Sequence, residues 1–258
     1  MKKPLVIIPS YNTGARLTST VGEVLQQWDG AVWVVVDGSD DGSDDALEQS
    51  LGANPRLRLI RREKNHGKGA AVMFAARIAL DEGFTHACTF DADGQHCAAD
   101  IARMFALAPD DGTAFVLGVP IFGPEAPAER VKGRRVGNTF AKFETFWRGP
   151  EDSLYGMRVY PLKQLAQVLH CQLVGRRYDF DTEAAVRLVW SNVRPINLKT
   201  PVRYLTREEG GSTHFSYLRD NVLLTLMHTR LIAEMPFHLH RLIANGRRWK
   251  RLSQQPSA

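Results

Sequence analysis

Two carboxylates one residue apart, Asp91 and Asp93, close the apolar run Ala87–Phe90 in the stretch Thr89-Phe-Asp-Ala-Asp-Gly-Gln-His96. Aspartate and glutamine are hard oxygen donors of the kind Mg2+ or Mn2+ prefers. Such ions commonly take one or two carboxylates and complete their shell with substrate phosphates. In an extended segment, residues two apart project to the same side, so Asp93 and Gln95 can face one ion while Asp91 reaches toward a nucleotide. Alone, Asp-x-Asp is a weak signal, because the same residues also suit the cap of the helix that follows. Its weight comes from its place at the end of a buried strand.

Three further polar clusters follow, two of them at the ends of apolar runs. Asp37-Gly-Ser-Asp-Asp-Gly-Ser43 follows the apolar run Val32–Val36. A carboxylate at Asp37 can accept a hydrogen bond from a nucleobase N–H or a ribose hydroxyl, while Asp40, Asp44 and Asp45 read as turn and cap residues. Asn65-His-Gly-Lys-Gly69 lacks the Walker spacing of a phosphate loop. Gly67 and Gly69 allow the backbone to come close to a ligand, and Lys68 either meets a phosphate or only opens a helix. Ser10-Tyr11-Asn12 ends the first apolar run, Leu5–Ile8.

These clusters need a scaffold that brings them together. Apolar spacing at Leu17, Val21, Val24, Leu25 and Trp28 predicts an amphipathic helix. Strands are predicted at 5–8 (stopped by Pro9), 32–36, 57–60, 87–90, 114–117 and 193–198. Helices are predicted at 44–51, 69–80, 101–107, 134–147, 181–190 and 218–235. Strands alternating with helices imply an α/β fold with a parallel central sheet and right-handed crossovers. Ligands in such folds bind beyond the carboxyl ends of the strands, where all these clusters lie.

PSYN at 9–12, VVVDGSDDGS at 34–43, NHGKGAAV at 65–72 and DADGQH at 91–96, in this order, resemble family 2 glycosyltransferases. The resemblance is to the members that glycosylate polyprenyl or dolichyl phosphates. It implies a GT-A-like nucleotide-sugar-binding fold, a UDP- or GDP-sugar donor, inversion at the sugar carbon, Mg2+ or Mn2+, and a lipid or membrane-associated acceptor. Pro9, Tyr11, Asn12 and Asp37 would then hold the nucleoside, Asp91 the ribose and phosphate region, and Asp93 and Gln95 the metal. This chain has Val36-Asp37 where many members carry two aspartates. Asp152-Ser-Leu-Tyr-Gly156 resembles the family's Asp-Ser-x-x-Gly turn, and Gly210-Gly-Ser-Thr-His214 with Arg207 resembles a loop closing over the pyrophosphate. Arg130, Lys132, Arg134 and Arg135 form a basic cluster suited to phosphate. Within Tyr178-Asp-Phe-Asp-Thr-Glu183, which resembles Phe-Asp-x-Glu, Asp181 and Glu183 are candidates for a general base, with Glu183 slightly favoured. A lipid phosphate is already ionised and needs no base, so either acid can instead cap the helix that follows.

The chain has 258 residues, 44% of them hydrophobic and 24% charged, enough for a sizeable core. Cys88, Cys97 and Cys171 are odd in number and show no CxxC spacing, which fits a reducing cytoplasm better than a disulfide scaffold. The apolar run after Lys2 and Lys3 is too short for a signal peptide, and no stretch of about 18 apolar residues predicts a membrane span. A catalytic domain over 1–216 and a C-terminal amphipathic helix with a basic tail over 217–258 are expected. Arg241–Arg251 holds five basic residues and no acid. That end either lies on an anionic membrane surface, making the protein peripheral at the inner face of the cytoplasmic membrane, or packs on the catalytic domain. His238 and His240 are expected at the surface. Two rivals are a sugar nucleotidyltransferase, disfavoured because PSYNTGARL replaces a basic glycine-rich loop, and a non-catalytic membrane- or nucleic-acid-binding module led by the tail. No nucleic-acid partner is expected for the enzyme.

Overall fold

The computed structural model describes residues 1–123, 128–169, 177–203 and 217–252. Seven strands form one sheet in the order β3-β2-β1-β4-β6-β5-β7. They are β1 (Pro4–Ser10), β2 (Ala31–Asp37), β3 (Leu57–Arg62), β4 (His86–Thr89), β5 (Ala114–Ile121), β6 (Arg158–Pro161) and β7 (Arg194–Pro201). Helices α1 (Arg16–Gln27), α2 (Ser43–Leu51), α3 (Lys68–Asp81), α4 (Ile101–Leu107), α5 (Ala128–Glu144), α6 (Leu162–Leu169), α7 (Asp179–Trp190) and α8 (Tyr217–Leu252) complete the chain. The pairs β1–β2, β1–β4, β2–β3 and β5–β7 are parallel, whereas β6 runs antiparallel to both of its neighbours.

The two-residue period of the strands sorts their side chains into two cores. Leu5, Ile7, Trp33 and Val35 pack with α3, α6, α7 and α8 on one face. Val6, Ile8, Val32, Val34 and Val36 pack with α1, α2 and α4 on the other. The central strands are apolar on both faces, as expected of a sheet covered by helices on each side.

Three departures from the predicted elements have identifiable causes. First, β1 does not stop at Pro9. The carbonyl of Ile7 accepts the Phe90 N–H on the β4 side. Polar groups two residues apart in a parallel ladder face the same side, so the position of the missing Pro9 N–H lies beyond the last β1–β4 pair, Ile7↔Thr89, and costs no ladder bond. Second, β6 and α6 are absent from the sequence prediction. Arg158 lies within a short apolar run and is fully buried. Its Nε donates to Tyr155 O at 2.8 Å and its Nη2 to Ser153 O at 2.7 Å, while Nη1 donates to the carbonyl of Asp181. Thr182 Oγ1 also donates to Ser153 O, at 2.9 Å. The 153–155 turn is thereby fixed to the first turn of α7.

Third, α8 runs on past Met235 through Pro236 and into the basic segment. Its second half is held by packing: Leu242 is buried in the same core as Met227 and Leu231, and His238 stacks on Trp190 at 4.3 Å. His238 is therefore not a free surface residue, and burial lowers its pKa. The expected division at 217 does not divide the core, because α8 packs into the face built by α3, α6 and α7.

Replacing Arg158 with methionine is expected to lower the unfolding free energy by about 3 kcal/mol, because buried carbonyls lose a charged donor. Denaturant titration of the variant against the parent chain measures this.

Candidate active site

The carboxyl ends of β1, β2 and β4 converge, and their loops are tied together. Asn12 donates through Nδ2 to Asp40 Oδ1 at 2.8 Å and accepts the Asp40 N–H at 3.0 Å. The Gly14 N–H donates to Asp41 Oδ2 at 2.8 Å, and Ser43 caps Asp41 Oδ1 through both its N–H and its hydroxyl. Asp44 and Asp45 pair with Arg61 on β3. Gly38 has φ +72°, and a Cβ there would run into the backbone of Lys64 and Asn65. The β2 loop can therefore lie against the 64–68 loop only with glycine at this position.

Asp37 uses that proximity. Its Oδ1 accepts from Arg62 Nη1 at 2.6 Å, and its Oδ2 accepts the N–H groups of His66 at 2.9 Å and Gly67 at 2.7 Å. One buried carboxylate thus joins the end of β2, the end of β3 and the start of α3.

Lys68, the first residue of α3, sends its ammonium between two acids. It lies 2.6 Å from Asp91 Oδ1 and 2.7 Å from Asp181 Oδ2. Burial alone would lower its pKa, but the Asp181 and Asp91 carboxylates outweigh burial and raise it. Burial likewise opposes ionisation of Asp91, yet Lys68 and His96 draw its pKa well below the usual carboxylate range. Asp93 goes the other way. Burial and then the negative charge of Asp91 raise its pKa. His96 Nε2 comes within 3.1 Å of Asp91 Oδ2, but neither ring nitrogen makes an aligned hydrogen bond.

The turn at 152–156 closes this cluster. Asp152 Oδ1 accepts the N–H groups of Leu154 at 3.0 Å and Tyr155 at 2.8 Å and a proton of Arg134 at 3.1 Å, while Oδ2 accepts from Asn138 Nδ2 at 3.0 Å. Asn138 Oδ1 in turn accepts from Ser153. The turn delivers Gly156 so near to Asp91 Oδ2 and Lys68 Nζ that a Cβ has no room. In the same place, Thr89 Oγ1 donates to Gly156 O at 2.7 Å.

One cavity of about 1480 Å3 is lined by Pro9, Tyr11, Asp37, Lys68, Asp91, Asp93, Gln95, Arg134 and Asp181. It is lined as well by Gly137, Phe140 and Leu154 beside α5 and by Leu224, His228 and Ile232 of α8. Three expected residues lie outside it. Asn12 spends its side-chain amide on Asp40. Arg135 is exposed on α5. Glu183 is fully buried and paired with Arg187 Nε at 2.7 Å and Arg230 Nη2 at 2.5 Å. Its carboxylate is turned to these two guanidinium groups, and the acid of the pair that lines the cavity is Asp181. Arg207 and the 210–214 loop lie outside the described residues.

The Lys68–Asp181 pair escaped sequence reasoning because its members are 113 residues apart and carry no shared local pattern. The pairing of Glu144 with His228 across α5 and α8, 2.7 Å, escaped for the same reason.

The profile of glycosyl transferase family 2 matches residues 5–179, and the chain belongs to that family. It is 31% identical to an undecaprenyl-phosphate mannosyltransferase of Micrococcus luteus, over 81% of this chain and 86% of that protein. It is 29% identical to a UDP-N-acetylglucosamine–dolichyl-phosphate N-acetylglucosaminyltransferase of Methanococcus voltae, over 70% and 78%. Among solved structures, a mannosyltransferase of Pyrobaculum calidifontis in complex with GDP-Man and Mn2+ superposes with a TM-score of 0.60 at 18% identity, covering 94% of this chain and 73% of that one. That likeness establishes the GT-A-like α/β fold.

The depressed pKa of Asp91 gives a signed pH effect. Its ionised form is stabilised in the folded state, so its contribution is fully present above the unfolded carboxylate value of about 3.9 and is lost as pH falls below it. Asp91→Asn is expected to lose less stability than the parent chain between neutral pH and the acid limb. Thermal melts across that range check the slope.

Proposed function

We propose that this glycosyltransferase moves a sugar from a UDP- or GDP-sugar to a polyprenyl phosphate, with inversion and with the help of Mg2+ or Mn2+. The observation that carries this reading is the single cavity in which the polar strand ends meet an apolar wall formed by α5 and α8, including Phe140, Leu154, Leu224 and Ile232. A nucleotide sugar suits the polar part, and an isoprenoid chain suits the wall.

In this proposal Pro9 and Tyr11 contact the nucleoside, with Asp37 shaping the loop around it. Asp91 faces the ribose and phosphate side, and Asp93 and Gln95 hold the ion. The residues fit a hard cation: Asp93 lies close enough to the charge of Asp91 to have its pKa raised, and Gln95 adds an amide oxygen on the same loop. Among the described residues no ready cluster of three acidic, histidine or cysteine ligands is present, so substrate oxygens would complete the shell. The ion would supply positive charge to the leaving diphosphate. The acceptor phosphate oxygen attacks the anomeric carbon as the bond from that carbon to the diphosphate oxygen breaks. No proton has to leave an already ionised acceptor. Lys68 and Arg134 supply charge beside the leaving group, and Arg207 is proposed to join them. Asp181, bound to Lys68, orients that ammonium rather than acting as a base.

No described helix is long and apolar enough to cross a membrane. We place the protein peripherally on an anionic membrane, at the cytoplasmic face. The supporting observation is on α5 and the turn after it. Val136, Phe140, Phe143, Phe146 and Trp147 are exposed among Lys132, Arg135 and Lys142, with Trp147 at 67% exposure. Such a basic and aromatic surface suits the interfacial region of a bilayer. The basic end of α8 is proposed to add attraction from a helix that packs on the catalytic core.

Asp93→Ala is expected to reduce transfer to a short polyprenyl phosphate about a hundredfold or more without changing the melting temperature. Turnover assays with UDP- and GDP-sugars and Mn2+ test it, and undiminished activity would remove the metal assignment. Phe143→Asp with Trp147→Asp is expected to abolish cosedimentation with phosphatidylglycerol vesicles while leaving nucleotide affinity intact.

A further inference from the structure

We infer that His228, held by the buried carboxylate of Glu144, is the residue that receives the acceptor's phosphate at the α5–α8 wall of the cavity. This rests on the polyprenyl-phosphate reading above and extends it to a residue that neither the motifs nor the family match reaches, since α8 begins after residue 179.

The geometry is that of an oriented imidazole. His228 Nδ1 lies 2.7 Å from Glu144 Oε1, and Glu144 is fully buried. A carboxylate at that distance fixes the ring and its tautomer, with Nδ1 as the donor. Phe140 packs on the ring at 5.1 Å with an interplanar angle of 32°. Nε2 has no hydrogen-bond partner among the described residues, and both His228 and Phe140 line the cavity. An imidazole so held can carry a proton on Nε2, donate it to a phosphate oxygen, and have its positive charge balanced by Glu144.

His228 on α8 and Asp181 on α7, the acid that touches Lys68, line the same cavity. Of the other cations lining the cavity, Lys68 is taken by Asp91 and Asp181, Arg134 by Asp152 and Arg219 by Asp220, while Arg177 stands just before α7. His228 thus has one ring nitrogen, Nε2, still to place, beside Phe140, Leu224 and Ile232, where an isoprenoid would lie.

The test uses the full chain with farnesyl phosphate and farnesol as probes, titrated by calorimetry without donor. The parent chain is expected to prefer the phosphate. His228→Ala should weaken farnesyl phosphate about tenfold, the loss of one charged hydrogen bond, and leave farnesol unchanged. His228→Gln, which keeps a polar side chain, should do the same if the alanine variant folds poorly, and His228→Lys should restore part of the preference. Glu144→Gln should weaken farnesyl phosphate less than His228→Ala does, because it removes orientation and charge balance but not the contact. In turnover, KM for the acceptor should rise while KM for the nucleotide sugar stays constant. Farnesyl phosphate affinity within twofold of the parent in a folded His228 variant overturns the assignment, as does an equal loss for farnesol. A parent chain that binds farnesyl phosphate but transfers no sugar to it would count against the proposed function and leave the His228 result readable.

Discussion

The ammonium of Lys68 is the interaction on which the site depends. Without it, Asp91 and Asp181 would be two anions brought together at the edge of a buried sheet, and each would pay for burial with no partner. With it, the start of α3, the end of β4 and the start of α7 meet at one point. Three pieces of chain that are remote in sequence are thereby set at fixed distances. The same ammonium divides the cluster electrostatically. It draws Asp91 down and leaves Asp93, further along the loop, short of positive charge.

Such proximity requires that nothing bulky intervene. Gly156 lets the 152–156 turn come up against Asp91 and Lys68, and Gly38 lets the β2 loop reach the 64–68 segment so that Asp37 can accept the backbone donors there. The turn that carries Gly156 is in turn fixed by Asp152 from within, by Asn138 from α5 and by Arg158 from beneath. Arg158 deserves comparison with Lys68. Lys68 meets carboxylates and so shapes charge, whereas Arg158 donates to carbonyls and so shapes backbone.

Much of the fold was legible because the chain obeys its local rules. Valine runs made β2, period 3.6 made α1, and the polar clusters fell at strand ends, where Asp37, Lys68, Asp91, Asp93 and Gln95 do share one cavity. The failures occurred where a local rule was overruled by distant partners. β6 was missed because sequence cannot show that the charge of Arg158 is met by carbonyls from the 153–155 turn and α7. The motif that holds Glu183 likewise does not reveal its partner Arg230 on α8. Pro9 looked like a stop because the end of β4, which leaves its missing donor harmless, is set by another strand. The last helix was predicted to end at 235, but packing of Leu242 and His238 carries it on through Pro236.

The placement of α8 ties these points to the acceptor side. Its inner face joins the core through Met227, Leu231 and Leu242, and its ion pairs fix it in step with α7. A helix anchored in this way cannot drift relative to Asp181. α5 is joined to the site by Arg134 and Asn138, to α8 by Glu144, and to the core by Ala141. Its exposed aromatic residues lie on the side away from that core. A membrane that engaged them would bring its lipid phosphates to the wall of the cavity without asking the core to move. Rigid placement of α8 and peripheral placement of α5 are thus complementary: one fixes where the acceptor's charged end must arrive, and the other presents the surface from which it comes.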